Sequence, residues 1–337
     1  MTELQQRRRR PAYVLVGLTV ALIVIALISI NSGKIGMTPL EVVKALLGEG
    51  TERQQTVVMD FRLPRIVLAV LVGVGMSLAG CVMQTLLRND MASPGTLGIS
   101  SGSGLFVLLY LVLFSAEGAM AAYAMPALSF IGGLTAAALI FLLAYRRGRP
   151  LSPTSLILTG VALSGGYGAA SLLLTLKLDE QQLNFALRWG AGSLWGTEWR
   201  YLTILIPWVL VFSLYLFYKS RVLNTLHFGQ QTASGLGVSV KREFVGLSVA
   251  AIALASGSVA LGGNFFFIGL IAPHMARRLV GSDHKRVLPA SGLIGAVVVL
   301  AADAVTRTVS FGANVPTGIV ITVLSTPYFL YLLSRTN

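Results

Sequence analysis

Charged side chains are scarce in this sequence. Asp, Glu, Lys and Arg make up 12% of its 337 residues and hydrophobic residues 55%, whereas a soluble domain is ~25% charged. The stretches 12–30 and 66–87 contain no Asp, Glu, Lys, Arg or His at all. Each has about the ~20 residues that a helix needs to cross ~30 Å of hydrocarbon. The scarcity of charge therefore excludes a soluble globular protein and predicts a membrane protein built of helices.

Cysteine and histidine are also rare. The single cysteine, Cys81, lies inside an apolar stretch, which excludes a disulfide framework and a cysteine metal site. The three histidines, His227, His274 and His284, lie in or beside basic loops and lack the spacing of metal ligands. We therefore expect this chain to bind no metal and no cofactor.

Motifs for catalysis and for phosphate binding are missing. The sequence has no GxxxxGK[ST] loop, no HExxH and no GxSxG, and its glycine-rich run at 95–104 lacks the lysine of a nucleotide loop. Ionisable residues are almost confined to the ends of the apolar windows, as Asp303 and Arg307 are, which argues against proton or sodium coupling. We expect no enzyme but a chain that takes its energy from another subunit. An ion-coupled secondary transporter stays open, because backbone carbonyls can also bind sodium.

Ten apolar windows follow one another along the chain and predict an all-α protein with about ten transmembrane helices. They are 12–30, 66–87, 97–114, 125–145, 155–176, 201–218, 244–261, 264–280, 288–306 and 316–333. The first follows Arg7–Arg10 and has no cleavage pattern after it, so we expect an uncleaved helix rather than a signal peptide. No soluble domain is indicated, and residues 1–337 are interpreted as one transmembrane domain.

The net charge of +13 is explained by topology. Most basic residues fall on the cytoplasmic side if both termini lie there, as the positive-inside rule requires. This placement leaves Arg62, Arg65 and Arg307 outside. The basic balance therefore does not require a nucleic-acid partner, and the lipid bilayer is the expected surrounding.

Two loops contain further structure. Residues 38–48 predict a short amphipathic helix on the outer surface, with Thr38 as N-cap and Glu41 as the acid of a capping box. The cytoplasmic loop 219–242 is long for a helix connection, and residues 230–237 at its centre favour a short helix ended by glycine. A solvated loop without a helix is the alternative.

Small residues recur every four positions. Gly160, Ser164 and Gly168 are the longest such series; shorter ones are Gly98 and Gly102, Gly73 and Ser77, and Ser291 and Gly295. This spacing places them on one helix face, where backbones can approach closely in a membrane. We interpret the series as helix-packing faces, with a pore lining as the alternative.

Seven segments in a fixed order resemble the permeases of iron-siderophore and cobalamin ABC importers, the type II importers. They are RLPR at 62–65, SLAGCVMQTLLRN at 77–89, PGTLGISSG at 94–102, GSLWG at 192–196, FIGLIAPH at 267–274, ADAVTR at 302–307 and PTGIV at 316–320. The resemblance runs from about residue 12 to the C-terminus. It implies ten helices per subunit in a bacterial cytoplasmic membrane.

The resemblance also implies site residues. Arg62, Arg65 and Arg307 correspond to the family's arginines that dock a binding protein, with interfacial anchoring as the alternative. The expected ATPase-coupling residues are Gln230, Ser234, Gly235, Leu236 and Gly237. The cytoplasmic gate is expected at Asn89, Met91 and Pro153, where helix-capping turns are the alternative.

The implied function is translocation of an iron chelate, a ferric siderophore, delivered by an extracytoplasmic binding protein. The implied partners are a second permease subunit, a paralogue rather than an identical copy, and two cytoplasmic ATPases that hold ATP and Mg. Cobalamin and haem are alternative substrates. An ion-coupled transporter and a membrane scaffold are the alternatives from other classes. The sequence does not identify the chelate.

Overall fold

The computed structural model describes residues 3–32, 35–114, 119–144, 153–308 and 315–334, and within these ranges every regular element is a helix. In chain order the α-helices are α1 (Glu3–Asn31), α2 (Pro39–Leu46), α3 (Glu52–Thr56), α4 (Leu63–Leu87), α5 (Ile99–Leu113), α6 (Ala119–Ala144), α7 (Pro153–Thr175), α8 (Glu180–Gly190), α9 (Trp199–Tyr218), α10 (Ser220–His227), α11 (Gln230–Gly235), α12 (Val240–Gly262), α13 (Ile268–Val280), α14 (His284–Thr308) and α15 (Thr317–Ser334). A π-helical segment, Val57–Arg62, joins α3 to α4.

Each of the ten apolar windows overlaps one of these helices over most of the window's length. Seven helical stretches are long and apolar enough to cross a membrane: Arg10–Asn31, Glu52–Leu87, Tyr123–Ala144, Thr154–Thr175, Trp199–Tyr218, Val240–Gly262 and His284–Thr308. Ile99–Leu113 and Thr317–Tyr328 are apolar but shorter. The remaining helix, α13, has 13 residues and carries Pro273, Arg277 and Arg278. The protein is thus an all-α, multi-pass membrane protein, and ten crossings remain a prediction.

Helix α4 lies at the centre of the bundle, packed against α12, α13 and α14. Glycines make this possible, because a methyl group on Gly73 would overlap the carbonyl of Gly295 in α14. In the same way a methyl group on Gly80 would overlap the backbone of Gly269 in α13. Without a hydrophobic driving force between helices in lipid, such backbone contact maximises van der Waals attraction.

The predicted small faces of α4 and α14 pack on each other. The Ser291 hydroxyl donates to the carbonyl oxygen of Ser77 at 3.3 Å, and a methyl group on Gly295 would overlap Gly73. The packing interpretation of these two series is confirmed.

The longest series, Gly160, Ser164 and Gly168, is packed at its start and open at its end. A methyl group on Gly160 would lie 3.0 Å from the Cα of Leu97, and one on Gly98 would lie 2.7 Å from Ser164 Oγ. Gly168, two turns further along α7, has no atom within 4 Å of the position that a methyl group would take. The first part of α7 therefore packs against the start of α5, while the face around Gly168 is open.

Candidate functional site

The two ends of α4 have different chemistry. A helix of 25 residues is about 37 Å long at 1.5 Å per residue. Arg62 and Arg65 are at its first end, and Thr85, Arg88 and the turn 89–91 are at its second end. Because α14 runs antiparallel to α4, Arg307 returns to the first end and His284 lies at the second.

The first end contains an arginine cluster, which we define as Arg62, Arg65 and Arg307 with the carboxylate of Asp303. Arg65 Nη2 lies 2.9 Å from Asp303 Oδ1, and Arg307 Nε lies 3.0 Å from Asp303 Oδ2. The Asp303 side chain is fully buried, whereas the side chain of Arg65 is 30% exposed and that of Arg307 15% exposed. One carboxylate therefore anchors two guanidinium groups from helices that are far apart in sequence.

Arg62 is held by backbone carbonyls. Its residue is 5% exposed, its Nη1 donates to the carbonyl of Ile30 at 2.6 Å, and its Nη2 donates to the carbonyl of Ile35. Arg307 reaches the same region, donating to the hydroxyl of Ser29. The cluster thereby fastens the last turn of α1 and Ile35 to α4 and α14.

All three arginines singled out by the sequence are brought together here. Asp303 is the shared partner of Arg65 and Arg307, a role that the sequence did not identify. Its position four residues before Arg307 is the spacing of a helical ion pair and was the available signal. The cluster has three cations and one anion, so it keeps a positive balance that favours acidic groups on a partner.

The second end is formed by the coupling loop, the segment 219–242. It contains two short helices, α10 and α11, rather than one. Gly229 and Gly237 have φ angles of 108° and 82°, a region that glycine enters without steric cost. Of the five predicted coupling residues, Gln230 is half-buried and the other four, Ser234–Gly237, are exposed.

Two apolar side chains project from the coupling loop. Leu236 is 68% exposed and Phe228 is 69% exposed, while Ala233 between them is buried. Phe228 was missed by the sequence reasoning, although an aromatic residue directly before Gly229 in a basic, polar loop was a signal. Lys219 anchors the start of the loop, with Nζ 2.7 Å from Glu243 Oε1. That hydrogen bond raises the pKa of Lys219 above its usual value.

The predicted gate residues lie in two places. Arg88 has a left-handed φ of 49° and ends α4. In the following turn the side chain of Asn89 accepts a hydrogen bond from the Met91 backbone at 2.8 Å, and Arg277 bonds Asp90 at 2.9 Å. Asn89 thus has the geometry of an Asx turn. Pro153 is the first residue of α7, and the residues directly before it, 145–152, lie outside the described part of the chain.

Two adjoining cavities lie beside α7 and α8. The first has a volume of about 250 Å³ and its lining includes Ser100, Gly168, Trp189 and Asn264. The second, of about 270 Å³, shares Asn264 and continues along α15. Ser100 Oγ, Trp189 Nε1 and Asn264 Oδ1 are buried without a hydrogen-bond partner among the described residues. The residues that line the two cavities carry no charge.

A metal centre does not emerge from the part of the chain that the structure describes. Within it, no three His, Cys, Asp or Glu side chains are close enough to hold an ion. The described residues instead form an apolar helical bundle with a basic cluster at one end, an exposed helical loop at the other and uncharged cavities beside its helices.

Comparison with known proteins identifies the family. Residues 21–335 match the FecCD transport family, and the chain belongs to it. The chain is 38% identical to the iron(3+)-hydroxamate import system permease protein FhuG of Bacillus subtilis, with 99% of this chain and 100% of that one covered. It is 41% identical to the iron-uptake system permease protein FeuC of the same species, covering 93% and 95% of the two chains.

Two further comparisons add a hemin permease and a solved transporter structure. The hemin transport system permease protein HmuU of Yersinia pestis is 36% identical, with 97% of both chains covered. A solved structure of a metal-chelate type ABC transporter, in an inward-facing conformation, superposes with a TM-score of 0.81 at 30% identity. That superposition covers 96% of this chain and 99% of the other.

Proposed function

We propose that this chain is a membrane-spanning subunit of an ATP-driven ABC importer that translocates a ferric siderophore across the bacterial cytoplasmic membrane. The observation that carries the proposal is the full-length similarity to iron-chelate permeases, at 38% identity over 338 residues for the hydroxamate permease. The fold is consistent with it, since one bundle provides separate surfaces at its two ends.

The arginine cluster is the proposed docking surface for the substrate-binding protein. Arg65 has a more exposed side chain than Arg307, and Arg62 and Arg307 hold the last turn of α1 in place. Three guanidinium groups with one carboxylate among them leave an excess of positive charge that attracts further carboxylates. The planar fork of Arg65 can bind one of these through two parallel hydrogen bonds.

The coupling loop is the proposed contact with the ATPase. Phe228 and Leu236 are large apolar side chains, each more than two thirds exposed in an otherwise polar loop, and burial against a partner would remove both from water. Inserted into a cleft of the ATPase, they would be the anchors through which closure of the nucleotide-binding subunits moves the bundle.

The substrate is proposed to pass between this chain and a second permease subunit, preferably a paralogue. The two uncharged cavities and the open face at Gly168 are this chain's contribution to the path. Cavity walls without charge would not hold a charged chelate by ion pairs, which suits passage rather than storage. The similarity to a hemin permease makes haem the second candidate substrate.

The proposal is tested by reconstitution. The chain is co-expressed with its permease, ATPase and binding-protein partners, purified, and placed in liposomes with a radiolabelled ferric hydroxamate. We expect uptake that requires ATP and survives ionophores that collapse proton and sodium gradients. A complex whose ATPase cannot hydrolyse ATP should give no uptake.

Two outcomes would overturn the proposal. Uptake that continues without nucleotide and stops with the ionophores would assign the chain to ion-coupled transport. Uptake of hemin but not of any ferric siderophore would keep the importer and replace the substrate.

A further inference from the structure

One buried histidine joins three helices at the second end of the bundle. His284, which is 1% exposed, is the first residue of α14. Its ring Nε2 lies 2.7 Å from the hydroxyl of Thr85 in α4, and its Nδ1 lies 2.8 Å from the side-chain oxygen of Asn224 in α10. A side chain of the coupling loop and a side chain of α4 therefore contact the same imidazole.

Asn224 fixes the orientation of that ring. Its oxygen accepts from both the backbone N–H and the ring of His284, each at 2.8 Å. Its amide nitrogen donates to Asp283 Oδ1 at 2.7 Å, a bond that holds the pKa of Asp283 below its usual value. Because an amide oxygen can only accept, Nδ1 of the ring must carry a proton. The contact with Asn224 therefore has a fixed donor and acceptor, whereas the single proton of the Thr85 hydroxyl can be donated to Nε2 of the ring or to the carbonyl of Cys81, 2.9 Å away.

Thr85 lies one helical turn before the turn 89–91. Arg88, between them, also approaches the coupling loop, since a methyl group on Gly229 would lie 3.3 Å from its guanidinium nitrogen. Arg277 of α13 bonds both Gln84 and Asp90 from the other side. The end of α4 is therefore connected by polar contacts to the loop and to α13.

We propose that Asn224 and His284 are positioning residues that transmit movement of the coupling loop to the end of α4 and the turn 89–91. Apolar surfaces in contact can slide over one another. A set of buried hydrogen bonds resists sliding, since each one broken leaves an unpaired polar group in a medium of low dielectric constant. The relay rests on the proposed function, because it presupposes an ATPase that moves the loop.

The relay is tested in the reconstituted complex with Asn224→Ala and with Thr85→Val, which keeps the shape of the side chain. We expect transport per ATP hydrolysed to fall about tenfold in each, equivalent to about 1.4 kcal/mol of lost coupling. Because both act through His284, the double variant should be little worse than either single variant.

Thr225→Val is the matched control. The Thr225 hydroxyl donates only within α10, to the carbonyl of Arg221 at 3.0 Å, so its loss should leave the transport ratio unchanged. A Met91→Cys reporter provides a second readout, because Cys81 is buried and adds little labelling. Its labelling rate should change with ATP in the parent protein and much less in Asn224→Ala.

The outcomes separate this relay from the function it rests on. Asn224→Ala and Thr85→Val that transport with the wild-type ratio would overturn the relay alone. So would losses of transport and ATPase activity in equal proportion together with a lowered melting temperature, which would show a merely structural role. A wild-type complex that imports nothing would overturn the proposed function and the relay with it.

Discussion

At the scale of single residues, Asp303 decides how the first end of the bundle is built. Its buried carboxylate is shared by Arg65 and Arg307, and Thr317 of α15 is 3.4 Å from the same group. Removing the negative charge of a buried carboxylate lowers stability strongly, because its two cationic partners are then left without an opposite charge.

Replacing Asp303 by Asn should therefore lower the stability of the purified protein by about 3 kcal/mol. The measurement is the midpoint of thermal unfolding in detergent. Glu198→Gln is the matched control: its ion pair with Arg200 is open to solvent, with side chains 58% and 39% exposed, and such pairs contribute about 0.5 kcal/mol. Equal midpoints for the two variants would show that Asp303 does not organise the cluster.

At the scale of helices, contact between backbones distinguishes the inner helices from the outer ones. Gly73 of α4 is in van der Waals contact with the backbone of α14, whereas Gly165 of α7 has no atom within 4 Å of the position of a methyl group. A methyl group therefore has space at Gly165 but not at Gly73.

We expect Gly73→Ala to lower the unfolding midpoint markedly, since the methyl group must separate two helices whose packing is close. Gly165→Ala should leave the midpoint unchanged or raise it, because alanine favours the helix over glycine by about 1 kcal/mol. Both are measured on the purified chain in the same detergent. A larger loss in Gly165→Ala than in Gly73→Ala would contradict the packing of α4 against α14.

A second prediction at this scale concerns binding of the ATPase to the coupling loop. Leu236→Glu should abolish co-purification of the ATPase while the chain itself remains as stable as before, because the side chain is 68% exposed. Leu47→Glu is the control, with a similar exposure of 70% and a position after α2 at the opposite end. Retention of the ATPase by Leu236→Glu would remove Leu236 from the coupling surface.

At the scale of the whole molecule, the arginine cluster at one end and the coupling loop at the other predict the topology: the cluster lies outside and the loop lies in the cytoplasm. The chain's own cysteine is buried, so cysteines introduced elsewhere can be labelled against a low background. In intact cells a membrane-impermeant thiol reagent should label Glu49→Cys and leave Ser234→Cys unlabelled until the membrane is permeabilised. The opposite pattern would invert the orientation and place the arginine cluster in the cytoplasm.

The apolar windows were enough to locate the seven helices that are long enough to span a membrane and three shorter ones, because a membrane-buried helix must be apolar over its whole length. The short helices were harder. Thr51 with Gln54, and Asp179 with Gln182, form capping boxes that begin α3 and α8. Those spacings were visible in the sequence but lie outside the apolar windows, so neither helix was predicted.

The site was predictable in part for a similar reason. A family motif marks a residue such as Arg65, but its partner Asp303 lies 238 positions away, and no local pattern pairs them. The contact of Asn224 with His284 is likewise a meeting of distant segments. Such pairs depend on which helices are neighbours, and this is a property of the packed bundle.

The sequence by itself determined that this protein is an all-helical membrane protein and where its long helices lie, because hydrocarbon selects against charge residue by residue along the chain. Only the tertiary structure decided which polar groups meet, since α4 and α14 run antiparallel and place one arginine cluster and one histidine at opposite ends. The apolar content of a segment is set locally, whereas a hydrogen bond between helices exists only once the helices are packed.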